Sequence, residues 1–577
     1  MLRILGLPTR YLTTWLTFLC LLASCDLAGC ANPVDQNVDL ANLDAVADAG
    51  PTFWPIAVET GQGQLEIYQP QPESLKGDQL AARAAISIVK PGAAAPQFGA
   101  AWFTSQVSID RDTRMVRLGN VTFKNVRLPS TPPADLQSIT GALTQNLSNS
   151  DVTFPLDQLM TTLDTAERDA DSAQRLNTSP PQIIFSTTPA TLISINGAPK
   201  LLPVSGHPGT SRVANTPFIL LVDDASHHFY LKAGPRWVTA SAIDGPWQDT
   251  AEVPAGIGAA GNDLATPETQ PASSTSAPAS RVSGTAELAP GAADARIIVA
   301  TAPTELIVTT GNPQFTPVQG SPGSDLLYAS NTESNLFLDQ STRQYFILLS
   351  GRWYASGTLQ GSWQYVPSDK LPPEFGMIPA DSPRADVLPF VAGTNEAHEA
   401  LLDTGIPQTA TIRRDAGNTL SVAYDGDPRF QDVPESPGVA YALNTPEDVL
   451  RVNGNYYCCH QAVWYESTSP TGPWIVCVSV PPAIYTLPPT CPDYNVRYVS
   501  VYNYYPDYVV DGYLPGYTGT YVDGPTIVYG TGYDYPGWFG SVYFPSPLTW
   551  GFGAYYDPFA CAWGFDDDLY WGGGIGW

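Results

Sequence analysis

The order of apolar and polar residues divides the chain into a sheet-forming first module, three related units and an aromatic C-terminal region. Four segments beginning near Phe53, QLEIYQP, AARAAISIVK, FGAAWFTSQVSID and RMVRLGNVTFKNVRLP, alternate apolar and polar positions at period two. That period puts every second side chain on one face and predicts a sheet of several strands. PADLQSITGALTQNL and PLDQLMTTLDTAERDADSAQRL change to steps of three and four, the spacing of short helices. Together they make an N-terminal β-rich (α+β) module over residues 52–178.

The middle of the chain repeats. IIFSTTPATLISINGAPKLLPVSG and IIVATAPTELIVTTGNPQFTPVQG open the first two copies, and LSVAYDGDPRFQDVPES opens the third. Each then runs through Asn-Thr, a strand, a hairpin with Tyr or Phe, a Trp and a Gly-Pro/Ser-Trp element. Asn215, Asn331 and Asn444 correspond, as do Trp237, Trp353 and Trp464, and Trp247, Trp363 and Trp474. The expected units are residues 180–250, 293–375 and 416–483, each a β-meander, in a propeller-like or stacked body. A Pro/Ala/Ser/Thr linker is expected over 251–292, and a connector with a helix at Asn395–Leu402 and a strand over 376–415. The fold class is therefore mainly β and multi-domain.

From residue 484 to 577 short Tyr/Val strands alternate with Gly and Pro turns. This aromatic, Gly-rich region is expected to form thin sheets held by ring stacking. In its last part Trp538, Tyr543, Trp550 and Tyr556 have too few aliphatic neighbours to be buried together, so they are the candidate ligand-binding rings. For the repeated Trp pairs, packing within each meander is the expected role, with a sugar platform as the alternative.

Composition narrows the chemistry. The 577 residues carry 55 acidic against 27 basic side chains, a net charge of -28, which opposes phosphate backbones and excludes nucleic acid as the expected partner. Arg3 and Arg10 precede an apolar run of secretory length, and LASC (Leu22–Cys25) and LAGC (Leu27–Cys30) follow. Both have the form of a lipobox, so Cys30 and Cys25 are the candidate lipidation sites. The expectation is a signal peptide over residues 1–30, a tether over 31–51, and an exported protein anchored by lipid in the bacterial cell envelope, at the outer membrane or the periplasmic face of the inner membrane.

The remaining cysteines, Cys458, Cys459, Cys477, Cys491 and Cys561, all lie late in the chain. An oxidising compartment would allow disulfides, and Cys459 with Cys477, flanking a hairpin, is the expected pair. Cys458, Cys459 and His460 are adjacent and point to alternating faces, which is not the spacing of a metal site. No HExxH, GxSxG, SxxK or Walker pattern occurs, so no catalytic residue, metal or cofactor is expected. A carboxylate pair remains the route by which a hydrolase could be built.

The elements IYQPQPES, GTNEAHEALLDTGIPQTA, YNVRYVSVY and VYGTGYDYP, with the repeated NTP and GPW motifs, resemble an uncharacterised exported bacterial family often labelled "carbohydrate-binding family V/XII". The resemblance extends from Phe53 to about Pro558. It implies a non-catalytic envelope protein that binds a polysaccharide or cell-wall glycan, or has a structural role there. A scaffold that binds another envelope protein and a carboxylate-dependent hydrolase are the alternatives. Cys458 and Cys491 stand where the family suggests small residues, which would allow a further bridge between them.

Overall fold

The computed structural model describes residues 54–530, apart from 91–96, 129–130, 149–151, 157–158, 161–162, 164–175, 196, 217, 266–294, 319–324, 416–419, 425 and 446, together with the backbone of 554–557 and 562–565. The chain is mainly β and built of several sheets. Its first sheet has seven strands and is antiparallel. Gln79–Val89, Gln97–Asp110 and Met115–Arg127 are its long central strands. Their inward residues, among them Ile86, Phe103, Val116 and Leu118, meet helix α1 (Pro133–Ser148) through Ile139, Leu143 and Leu147. The steps of four between those three helical residues give one apolar stripe, as the sequence pattern requires.

Each repeat folds as its own six-stranded antiparallel meander. The first runs from Leu201–Pro203 to Gln248–Thr250, the second from Phe315–Pro317 to Gln364–Val366, and the third from Phe430–Asp432 to Ile475–Val476. The corresponding asparagines do one job in all three. Asn215 accepts from the Lys200 N–H at 2.8 Å and donates to the Ala198 carbonyl at 2.8 Å. Asn331 accepts from Gln314 at 2.9 Å and donates to Thr310 and Asn312. Asn444 accepts from Arg429 at 2.9 Å and donates to Asp427. Each side-chain amide thus closes the turn that leads into the first strand, satisfying backbone groups that the ladder does not reach.

The opening strands of copies one and two interlock. Gln182–Ser186 pairs in parallel with Thr304–Val308, and Arg296–Ala300 pairs in parallel with Ala190–Ser194. The first strand of each copy therefore joins the second strand of the other, an exchange invisible in a linear reading of the repeats. Part of the expected linker is also ordered. Residues Ala255–Ala265 form helix α2, whose Ile257 and Ala260 pack on Trp237. Gly261 makes this approach possible, because a Cβ there would lie 2.4 Å from the Trp237 ring.

Copies two and three continue into 3-10 turns where copy one continues into α2. Ile257, Phe375 and Ile484 each stand three residues after a proline and are each buried. Phe375 and Ile484 donate back to Pro372 and Pro481 at 3.1 and 3.0 Å. In copies one and three the folding unit thus runs past the expected boundaries at 250 and 483, to Ile257 and Ile484. The connector forms helix α3 (Asn395–Asp403), capped by Thr394, and the strand Gln408–Arg413. That strand lies antiparallel to Tyr508–Tyr513, which pairs with Val499–Tyr504. No helix among the described residues is long and apolar enough to cross a membrane.

Candidate functional site

The repeated tryptophans divide into two kinds. Trp353 and Trp464 are 1 % and 0 % exposed. Their indole N–H groups donate to the carbonyls of Phe390 at 2.8 Å and Val499 at 2.9 Å, 37 and 35 residues downstream. Each therefore fastens the segment after its repeat to the sheet. Trp237 is buried under α2, with the Lys232 ammonium 5.5 Å from its ring. Of the Gly-Pro/Ser-Trp rings, Trp363 and Trp474 are buried, whereas Trp247 is half-buried. All five buried rings are packed away from any polymer, as expected for anchors. Trp247 lines a groove of about 450 Å³ with Asp244, Pro246, Asp249 and Arg296.

Of the candidate ligand rings, Trp538, Tyr543 and Trp550 lie outside the described residues. Tyr556 stands in the strand Ala554–Asp557, where the backbone alone is described. The candidate lipidation residues Cys30 and Cys25 also lie outside them. The aromatic region is nonetheless represented by the hairpin between Val499–Tyr504 and Tyr508–Tyr513. At its tip Tyr504 is 63 % exposed. Tyr505 and Tyr508 stack there, with ring centroids 4.4 Å apart and planes 26° from parallel. Arg413 is the residue opposite Tyr508, and its guanidinium grips Asp415 through two bonds of 3.0 and 2.8 Å. Arg414 binds the tip itself through the carbonyls of Asp507 and Pro506. Rings and planar, hydrogen-bonding side chains thus share one edge of the molecule. The Tyr-rich composition announced such rings but not this site, because the strand Gln408–Arg413 comes from the connector, almost a hundred residues earlier.

The expected Cys459–Cys477 bridge is not formed. Cys458, Cys459, Cys477 and Cys491 are all buried free thiols. Cys459 faces Trp464 across one strand pair, and the Cys477 N–H donates to the Trp464 carbonyl on the other side at 2.8 Å. The strand of Trp464 therefore separates them by two strand spacings, about 9–10 Å, whereas a disulfide needs Cα atoms within about 7 Å. Flanking a hairpin in sequence did not make them neighbours, because the hairpin carries a strand between them. Nor do Cys458 and Cys491 pair, since they sit in different apolar clusters. Burial pushes the Cys477 thiol up to about 12, far from a reactive thiolate.

Acidic chemistry gathers where the third repeat meets the segment after it. Glu447 Oε2 lies 2.6 Å from His460 Nδ1, and that hydrogen bond raises the imidazole above its ordinary value. Burial, and then the neighbouring Glu447, push Asp448 up to about 7. Burial, and then Asp448, raise Asp493. Asp511 is pushed up to about 7 by burial, partly offset by the Trp464 N–H that it accepts at 3.0 Å. No local sequence pattern marks these acids as a group, since Asp493 and Asp511 arrive from the segment that follows the repeat. A glycosidase-type pair must flank a substrate cleft, but Asp493 is 9 % exposed and faces the protein. Among the described residues no cluster of three or more His, Cys, Asp or Glu is arranged to hold a metal ion.

No protein-family model matches this chain, and neither a curated protein nor a solved structure matches it.

Proposed function

We propose that this protein is a non-catalytic binder of an envelope polysaccharide, exported and held to a membrane by lipid on Cys25 or Cys30. The observation that carries the proposal is the tyrosine tip. Tyr504 is a large ring left mostly in water, beside a stacked Tyr pair and an exposed Arg413–Asp415 fork. Pyranose rings present an apolar face to stack on and hydroxyls at the rim to hydrogen-bond, which is the pairing such an edge supplies. A ring contributes on the order of 1 kcal/mol, by analogy with aromatic pairs. Two or three rings then give a site in the millimolar range, made effective when many anchored copies meet one polymer.

The test is retention of the full chain on insoluble glycans, chitin and cellulose first. Changing Tyr504 and Tyr505 together to Ala is expected to lower retention at least severalfold and leave the melting temperature nearly unchanged. Equal retention of variant and parent on a glycan that binds the parent would reject the tip as the site. Retention of neither, with one envelope protein captured instead, would favour the scaffold.

A further inference from the structure

The three meanders share one two-strand corner, and copy one leaves it open. One residue after each repeated Trp stands a cross-strand pair: Tyr354 opposite Tyr365 in copy two, Tyr465 opposite Val476 in copy three, and Val238 opposite Asp249 in copy one. In copy two Tyr354 is 0 % exposed, meets the Tyr365 ring with centroids 6.1 Å apart, and shares a packed cluster with Trp363. In copy three Tyr465 and Val476 share one with Trp474. The strand exchange adds a second difference. Phe185, on the opening strand of copy one, packs in the cluster of Trp363, whereas its counterpart Val299 packs in that of Trp247. Copy one thus has Val238, Asp249 and Val299 where copy two has three rings. Trp247 is left half-buried and lines a groove of about 450 Å³, a size common among small-molecule sites.

We propose that this groove is a second glycan-binding site, which takes one neutral pyranose ring in the place that tyrosine rings fill in copies two and three. Trp247, Val238 and Ile297 supply its apolar lining, and Asp244, Asp249 and Arg296 stand exposed around it. Asp249 is paired with Arg236. Two carboxylates and two guanidiniums therefore balance, which suits an uncharged ligand better than an ion. The rim offers acceptors on both aspartates and donors on Arg296. A phenol would bring one hydroxyl to them, whereas a pyranose brings several and lays its C–H groups on the indole face. A single ring held in this way gives a dissociation constant on the order of millimolar. The site rests on the reading of this protein as a glycan binder, but it does not need the tyrosine tip.

Saturation-transfer NMR tests it, with the methyl glycosides of glucose, galactose, mannose and N-acetylglucosamine each at about 50 mM to suit a millimolar site. The full chain carries Tyr504→Ala and Tyr505→Ala in this experiment, so that the tip does not contribute. At least one glycoside is expected to receive saturation. Adding Val238→Tyr with Asp249→Tyr writes the copy-two pair into copy one, and should lower that transfer at least fivefold while the melting temperature holds. If the refilled variant melts early, Asp244→Ala with Arg296→Ala, at exposed positions, is the second variant and should also lower the transfer severalfold. Undiminished transfer in a folded groove variant overturns the site. So does the absence of transfer to all four glycosides; transfer to p-cresol alone would then assign the groove to an aromatic side chain. Neither result touches the tip, which is judged by retention on insoluble glycan, and loss of that retention leaves a glycoside signal from the groove intact.

Discussion

A buried indole contributes apolar area and one hydrogen bond, and the six repeated tryptophans show how differently those are used. Trp353 is closed in by Phe337 and Phe375, with ring centroids at 5.9 and 4.9 Å, and fastened to Phe390. Trp353→Ala leaves a large cavity and an unpaired carbonyl, so it should destabilise the protein by about 3–5 kcal/mol. Trp247 is half-buried and its indole N–H has no partner. Trp247→Ala should therefore cost about 1–2 kcal/mol. Denaturant titration of the two variants checks the contrast, and equal losses would mean that the open groove does not reflect weaker packing. The position of these residues was legible in the repeat, because Trp recurs at matched places. The difference between them was not, because what covers each ring comes from elsewhere in the chain.

At the scale of elements, the hairpin Thr520–Asp523/Thr526–Tyr529 is joined to the second repeat by the Tyr365 hydroxyl, which donates to Asp523 at 3.2 Å, and by one deeply buried cation. Arg352 is 1 % exposed and donates to the carbonyls of Ser350, Tyr529 and Gly530 at 3.1, 2.7 and 2.7 Å. The Tyr529 N–H returns a bond to the Ser350 carbonyl at 2.9 Å. Gly351, at φ +78°, leaves room for this contact, since a Cβ there would meet the Ile527 carbonyl oxygen at 2.7 Å. Arg352→Met keeps the length of the stem but strands the carbonyls, at a cost of about 1–3 kcal/mol for the buried groups left unpaired. Hydrogen exchange should show the hairpin amides deprotected while the central strands of the second repeat hold. Unchanged hairpin protection would show that ring packing, such as Phe390 on Tyr529, holds it without the guanidinium. The corresponding Arg236 in copy one pairs with Asp249 at the surface instead, so a motif shared by two repeats does two jobs.

Across the whole molecule, the modules are tied by contacts between distant parts of the chain. Arg127 of the first sheet bonds Asp403 of α3 at 2.8 Å and pairs with Glu399. Tyr68 meets the edge of Tyr502 at 6.0 Å. Such a body would be presented to its surroundings as a unit if one end is anchored. Changing Cys25 and Cys30 together to Ser is expected to move the protein from the membrane fraction to the soluble one. Persistence of the double variant with membranes, together with no uptake of labelled lipid by the parent, would overturn the anchor. Mass spectrometry of the mature N-terminus would assign the modified cysteine.

Sequence by itself determined the elements whose cause is local. Period-two alternation placed the strands of the first sheet, three-and-four spacing placed α1, and the Asn, Trp and Gly-Pro/Ser-Trp positions defined three meanders. Those signals survive in a linear reading because strand pleat and helical pitch act over a few neighbouring residues. Tertiary structure alone decided the strand exchange between copies one and two, the ordering of α2 in the expected linker, and the separation of Cys459 from Cys477. It also decided the meeting of the tyrosine tip with Arg413. Each depends on which distant backbone fills the neighbouring space, and the free energy of that choice comes from burial and hydrogen bonds between segments, for which no local pattern is written.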